Sequence, residues 1–160
     1  MIKVGEHLPE AEFPVKTADG MVKRSVSEIF GGRKVAVFAV PGAFTGTCQN
    51  VHVPGFLKNA DALKAKGVDE IVCVAVNDPF VLAAWAEVVG TNGTITLLSD
   101  GNGTFTRAIG LSIDLSAGGL GERSRRYAML VEDGVVKQLN IEEAPGKAEA
   151  SSAETLLSQM

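Results

Sequence analysis

A chain of 160 residues and 16.7 kDa has room for one domain, so residues 1–160 are read as one, able to bury a core without disulfide or metal. With 46% hydrophobic and 21% charged residues and a mean hydropathy of +0.18, intrinsic disorder is excluded. A net charge of −4 argues against a broad basic face for nucleic acid or an anionic membrane. No window approaches the roughly 18 uninterrupted apolar residues of a membrane span, and MIKVGEHLPE lacks a signal peptide's apolar core. A cytoplasmic protein is expected.

In chain order, residues 11–24 read as a hairpin turning at Ala18-Asp19-Gly20, and Ser25 caps a short helix through Glu28. KVAVFAV, Lys34–Val40, is apolar almost throughout and predicts a strand buried on both faces, stopped by Pro41. A helix runs from about Cys48 to Lys64 with Phe56, Ala60 and Leu63 on one face, and Pro54 predicts a kink or break just before it. EIVCVAV, residues 70–76, is a second buried strand. Asn77 or Asp78 caps a helix opening at Pro79 that carries Val81, Leu82, Trp85, Val88 and Val89. Thr94–Leu98 is a third strand, and residues 126–131 and 135–139 form a hairpin around Glu132-Asp133-Gly134. A last helix starts near Ser152. This order is that of an α/β layer sandwich with a mixed central sheet. A thioredoxin-like fold fits it, extended by the N-terminal hairpin and one extra strand–helix unit.

The segment that carries chemistry is Val40-Pro41-Gly42-Ala43-Phe44-Thr45-Gly46-Thr47-Cys48. It leaves a buried strand where open α/β sheets place their active crevice, and it puts a cysteine at the start of a helix. There, unpaired N–H groups and the helix dipole favour thiolate over thiol. Thr45 can turn its hydroxyl toward the sulfur. A free cysteine is commonly a small buried hydrophobe, but Gly42, Thr45, Gly46, Thr47, Gln49 and Asn50 make a poor apolar hiding place. Arg123, Arg125 and Arg126 precede a strand and offer guanidinium forks to an oxygen ligand. Strand alternation forbids all three from facing one way.

PGAFTGTCQNVHVPGF resembles the peroxidatic signature of the peroxiredoxins, Pro-x-x-x-Thr-x-x-Cys, through Pro41, Thr45 and Cys48. Residues 52–56, 65–68 and 76–78, Trp85 and RSRRYAMLVEDGVVK resemble the type II, peroxiredoxin-5-like branch, and the likeness runs from about Ile2 to the C-terminal helix. The resemblance implies a thiol peroxidase for hydrogen peroxide and small organic hydroperoxides. Cys48 would attack the O–O bond and become a sulfenic acid, with Thr45 and Arg126 holding the peroxide and Arg123 as the alternative arginine. Pro41, Gly42, Phe44 and Gly46 would shape the substrate pocket. Gly46 departs from the pattern, since relatives generally carry proline there. Glycine should ease unwinding of the loop.

The second cysteine, Cys73, lies in the middle of EIVCVAV and reads as an inert core thiol or at best a strained resolving partner for Cys48. Residues 140–160 hold no cysteine. A one-cysteine cycle is therefore expected, with glutaredoxin, glutathione or thioredoxin as the external reductant that the resemblance implies. No cofactor is expected. Cys48 and His52 stand i and i+4, but a closed metal site is not expected from two histidines and two cysteines. His52 reads as a helix residue satisfied by hydrogen bonds. Phe44, Phe80 and Trp85, with Ile113 and Leu115 in a loop rich in Gly and Ser, are expected near the site as the contact of a homodimer, a pairing common in the resembled branch.

Overall fold

The computed structural model describes residues 1–160. Its chain opens with an antiparallel hairpin, β1 (Glu12–Thr17) and β2 (Gly20–Ser25), in which Thr17 stands opposite Gly20 across the turn. Ser25 then caps α1 (Val26–Phe30), its Oγ accepting the Glu28 N–H at 3.1 Å, one of the donors a first helical turn leaves unpaired. The central strand β3 (Lys34–Val40) follows. Beyond Pro41 the chain is helical from residue 46, widens into a π turn at Cys48–His52, and continues as α2 (Val53–Lys58) and α3 (Ala60–Ala65).

Next come β4 (Glu70–Ala75), α4 (Pro79–Val89), β5 (Ile95–Ser99) and α5 (Thr104–Ala108). Asp78, rather than Asn77, caps α4 by accepting the Val81 N–H at 2.8 Å, and Gly90 at φ 71° closes it in the left-handed conformation that glycine tolerates. A two-stranded ribbon, β6 (Ser112–Asp114) with β7 (Glu122–Ser124), precedes the hairpin β8 (Tyr127–Glu132) and β9 (Val135–Ile141). The turn residues Asp133 and Gly134 both have positive φ, 49° and 76°, as a two-residue hairpin of the favoured hand requires. Helix α6 (Ala153–Ser158) ends the fold, capped by Ser152.

The main sheet has the order β5-β4-β3-β8-β9. β3, β4 and β5 are parallel, while β8 and β9 run antiparallel to their neighbours. Side chains alternate across β3. Ala36, Phe38 and Val40 join Phe56, Leu63, Trp85 and Leu156 in a cluster of 21 buried residues under α2, α3, α4 and α6. Val35, Val37 and Ala39 join Phe13, Ile29, Phe30 and Phe105 in a cluster of 19 on the other face. Two clusters of nearly equal size explain why the β3 and β4 sequences are apolar at every step after their first residues rather than alternating. Each large apolar side chain so buried contributes about 1.5–3 kcal/mol. The result is the α/β layer sandwich with a mixed central sheet that the element order predicts, of the thioredoxin-like kind that the peroxidatic motif implies.

Three local features differ from expectation. The helix passes through Pro54 without breaking, because the π turn ahead of it, closed by the Val53 N–H on the Cys48 carbonyl, makes room for a ring that would clash with the preceding α-helical turn. The break falls instead at Asn59, where φ is −99° and ψ 7°. Ile113 lies in a strand of the small ribbon rather than in a loop. Trp85 is fully buried and belongs to the core, so it cannot supply a dimer contact, whereas Phe44 and Phe80 are 50% and 63% exposed. No helix is long and apolar enough to cross a membrane.

Candidate active site

The site lies at the carboxyl end of β3 and is assembled by the register of the sheet. Ala39 pairs with Tyr127, so Arg126, one residue before β8, arrives beside the loop that follows Val40. Cys48, in the first helical turn after that loop, is fully buried. Its sulfur receives the Arg126 Nη2–H at 2.9 Å and stands 2.9 Å from Thr45 Oγ1. Thr45 Oγ1 also lies 2.7 Å from the Gly42 carbonyl. A hydroxyl has one proton, so it donates to the carbonyl or to the sulfur, one at a time. Facing a thiol it can accept S–H while donating to Gly42; facing a thiolate it can donate to sulfur.

Arg126 is buried, and each side of its guanidinium is held. Nε–H donates to the Pro145 carbonyl at 3.1 Å and Nη1–H to His52 Nδ1 at 3.0 Å. His52 Nε2 stands 2.9 Å from the Ser151 carbonyl. Since Arg126 can only donate, Nδ1 is the acceptor and Nε2 carries the imidazole proton. Burial, followed by the repulsion of Arg126, lowers the His52 pKa to about 3. Phe38 and Phe56, whose rings lie 4.8 and 5.6 Å from the imidazole, form the apolar wall behind it. A neutral imidazole is therefore the partner of the guanidinium.

A cleft of about 330 Å³ opens here, lined by Pro41, Thr45, Gly46 and Arg126 together with Leu115 and Leu120. Two groups that touch the sulfur thus also face the cleft. Of the expected pocket residues, Pro41 and Gly46 line it. Gly42 and Phe44 do not. A Cβ on Gly42 would stand 2.7 Å from Arg123 Nη1, so its role is to let that side chain approach. Phe44 adopts φ 64° and turns outward, its ring 6.4 Å from Trp85. Arg123 binds the Pro41 and Leu120 carbonyls at 3.2 and 2.9 Å. It braces the loop, while Arg126 is the arginine at the sulfur.

Cys73 sits on β4 between Phe38 and Leu97 of the flanking strands, fully enclosed, and burial pushes its thiol pKa well up. Both cysteines are free thiols. The sequence did not reveal how Arg126 and the loop are held. Asn77 Oδ1 accepts the Ala43 N–H at 3.0 Å, and the Pro145 and Ser151 carbonyls hold Arg126 and His52. The i, i+4 spacing of Cys48 and His52 was the one available signal, since it puts both on the same side of the helix. Backbone carbonyls leave no trace in residue identity.

A cysteine thiol with convergent donors at the end of a thioredoxin-like strand defines a class of thiol-based redox proteins, and a family model described as Redoxin matches residues 3–157. The chain is 53% identical to chloroplastic peroxiredoxin-2E-2 of Oryza sativa over 161 residues, 98% of this chain and 71% of that protein. It is similar to reduced Prx3 of Vibrio vulnificus in complex with hydrogen peroxide, at 50% identity and TM-score 0.94 over 99% of both chains. Peroxiredoxin 5 of Alvinella pompejana follows at 35% identity and TM-score 0.86, over 99% of this chain and 97% of that one. The chain belongs to the redoxin family, and within it to the type II peroxiredoxins, thiol-dependent peroxidases of thioredoxin-like fold.

Proposed function

We propose that residues 1–160 act as one domain that reduces hydrogen peroxide and small organic hydroperoxides at Cys48. The observation that carries this reading is the convergence of Arg126 Nη2 and Thr45 Oγ1 on the Cys48 sulfur, each at 2.9 Å, with both residues lining one cleft. The Cys48 thiolate attacks one peroxide oxygen in line with the O–O bond. An S–O bond forms as the O–O bond breaks, sulfur is oxidised to a sulfenic acid, and the leaving oxygen takes a proton and departs as water or an alcohol. Of the five N–H groups of a guanidinium, three have the partners named above. The remaining two are available to the peroxide, and donors fixed in advance act on the charge that develops at the leaving oxygen. Leu115, Ala117 and Leu120 on the cleft wall accommodate a short organic group.

The sulfenic acid is reduced from outside the chain. A thiol of glutaredoxin, glutathione or thioredoxin attacks its sulfur and expels water. A second thiol then resolves the mixed disulfide, is itself oxidised, and returns Cys48 as a thiol. The enclosure of Cys73 in the sheet supports this one-cysteine cycle, which belongs to peroxide detoxification in the cytoplasm, where free thiols persist. Phe44 and Phe80, each at least half exposed, support a homodimer contact beside the peroxidatic loop. Sedimentation of the reduced protein tests it, and a 16.7 kDa species at micromolar concentration would remove the dimer.

Stopped-flow oxidation by hydrogen peroxide tests the catalytic reading. Arg126→Ala and Thr45→Val are expected to slow the second-order rate by about 10²–10³ and Cys48→Ser to abolish turnover. Full turnover in Cys48→Ser would overturn the assignment.

A further inference from the structure

Glu142 follows β9 directly and is buried at 6% exposure. Its carboxylate does not line the cleft. Oε1 accepts both the Ser151 N–H, at 2.8 Å, and the Ser151 hydroxyl, at 3.1 Å. The Glu142 N–H donates to the Arg126 carbonyl at 2.9 Å. One side chain thus ties together both ends of an excursion, residues 142–151, that contains no helix or strand. Such a segment has little repeating hydrogen bonding to hold its shape.

Three carbonyls of this excursion hold the active site. Pro145 receives Arg126 Nε–H at 3.1 Å, Gly146 receives the Thr47 hydroxyl at 3.0 Å, and Ser151 receives His52 Nε2–H at 2.9 Å. The hydrogen bonds form a closed circuit. It runs from Glu142 through Ser151 and His52 to the Arg126 guanidinium, and returns from the Arg126 carbonyl to the Glu142 N–H. Without the carboxylate, the Ser151 N–H and hydroxyl would be buried and unpaired, a cost that favours reopening the loop to water.

We propose that Glu142 is a positioning residue, whose carboxylate clamps the 142–151 loop on Ser151 so that the Pro145 and Ser151 carbonyls aim the Arg126 guanidinium at the Cys48 sulfur. This inference rests on the reading of Arg126 as the peroxide-binding arginine. It predicts an effect on peroxide reduction transmitted mainly through Arg126.

The test is the stopped-flow rate of oxidation by hydrogen peroxide, measured on the full chain in the wild-type and Arg126→Ala backgrounds. In the wild-type background Glu142→Ala is expected to slow oxidation by roughly 10–100-fold, the scale of a misplaced catalytic group. Glu142→Gln, whose carboxamide oxygen still accepts the Ser151 N–H, recovers the rate to within about threefold of wild type. In the Arg126→Ala background Glu142→Ala adds less than about a threefold loss, as expected for two residues acting in series. Should Glu142→Ala not fold, Glu142→Asp keeps the charge, withdraws the oxygens by one methylene and carries the same expectation. An unchanged rate in the folded variant, or an equal loss in both backgrounds, overturns the inference while leaving Arg126 in its role. A wild-type rate in Arg126→Ala alone removes the reading of Arg126 and the inference with it.

Discussion

Arg126 and His52 meet through Nη1–H and Nδ1 at 3.0 Å, and the imidazole accepts. The arginine that touches the Cys48 sulfur is therefore held by a ring that must stay neutral. Protonated His52 would present N–H to N–H and put a second cation against the guanidinium.

The first prediction follows from the pH dependence of that contact. His52 has a folded pKa of about 3 against an ordinary 6.5. Because the folded value is depressed, the stability it contributes is fully present above about pH 6.5 and is lost progressively as pH falls toward 3. Urea midpoints measured from pH 7.5 to 4.5 should fall in the wild-type protein and fall much less in His52→Asn. Parallel curves for the two proteins over that range would reject the assignment.

Glu70 governs a second acid transition at lower pH. Burial would raise its carboxyl pKa, but hydrogen bonds from Arg24, Thr96 and Arg33 outweigh burial and hold it at about 2. Arg24 grips both carboxylate oxygens, at 2.7 and 3.0 Å, and so ties β2 to β4. A depressed acid contributes stability above its unfolded value, here about 4.5, and loses it as pH falls toward 2. At pH 7, Glu70→Gln should cost about 1–2 kcal/mol, less than a fully buried charged hydrogen bond because the cluster is partly exposed. For a domain of this size the expected fall in Tm is about 2–8 °C. An unchanged Tm would show that the cluster is neutral to stability.

Much of this architecture was legible because its signals are local. KVAVFAV and EIVCVAV announce strands buried on both faces, since every position after the first is apolar, and Thr45 with Cys48 forms a unit four residues long. The π turn was hidden because Pro54 signals a break, and only the three-dimensional chain shows the preceding turn widening instead. β6 and β7 are three residues each, too short for a period-2 pattern to emerge from glycine- and serine-rich surroundings. Arg126 and Arg123 are equivalent by composition. The pairing of Ala39 with Tyr127 is what sends one to the sulfur and the other to the Pro41 carbonyl.

That division of labour gives a prediction for Gly42. A methyl group there would lie 2.7 Å from Arg123 Nη1 and 3.3 Å from Thr45 Cγ2. The arginine can swing away, but it then releases the Pro41 carbonyl, and Thr45 is pressed from the side. Gly42→Ala should lower the peroxide oxidation rate by roughly 10-fold or more through displacement of the loop. Arg123→Ala removes the same bond together with the clash, so the double variant should be no slower than Gly42→Ala alone. Additive losses in the double variant would show that Gly42 acts some other way.

Cys73 offers a separation of roles between the two thiols. Because it is enclosed between Phe38 and Leu97, Cys73→Ala should keep at least about half of wild-type turnover while lowering Tm, as large-to-small core changes do. Under native conditions one equivalent of hydrogen peroxide should consume one thiol per chain and leave no intramolecular disulfide. Mass spectrometry after alkylation reads this directly, and a Cys48–Cys73 disulfide as the main product would replace the one-cysteine cycle.

Gly46 gives a prediction for how readily the site opens for reduction. Cys48 is fully buried, so a protein thiol reaches its sulfenic acid only after the first helical turn loosens. Gly46 lies in that turn, exposed, and a Cβ there would meet no atom within 4 Å. Gly46→Ala should therefore leave the folded pocket intact while disfavouring the unwound form by about 0.4–1 kcal/mol, through the lost backbone freedom of glycine. Oxidation by hydrogen peroxide should be unchanged, because it occurs in the wound state. Reduction by glutaredoxin should slow by about 2–5-fold, the same free energy expressed as a rate. A longer-lived sulfenic acid inside a wound pocket meets a second peroxide more often, so the fraction of chains carried to sulfinic acid should rise at a given peroxide concentration. Gly46→Pro, which a first helical turn accommodates, should move both quantities further the same way. Stopped-flow oxidation, coupled turnover and intact mass at graded peroxide separate these steps. Faster reduction in Gly46→Ala would show that opening of this turn does not limit access to the sulfur.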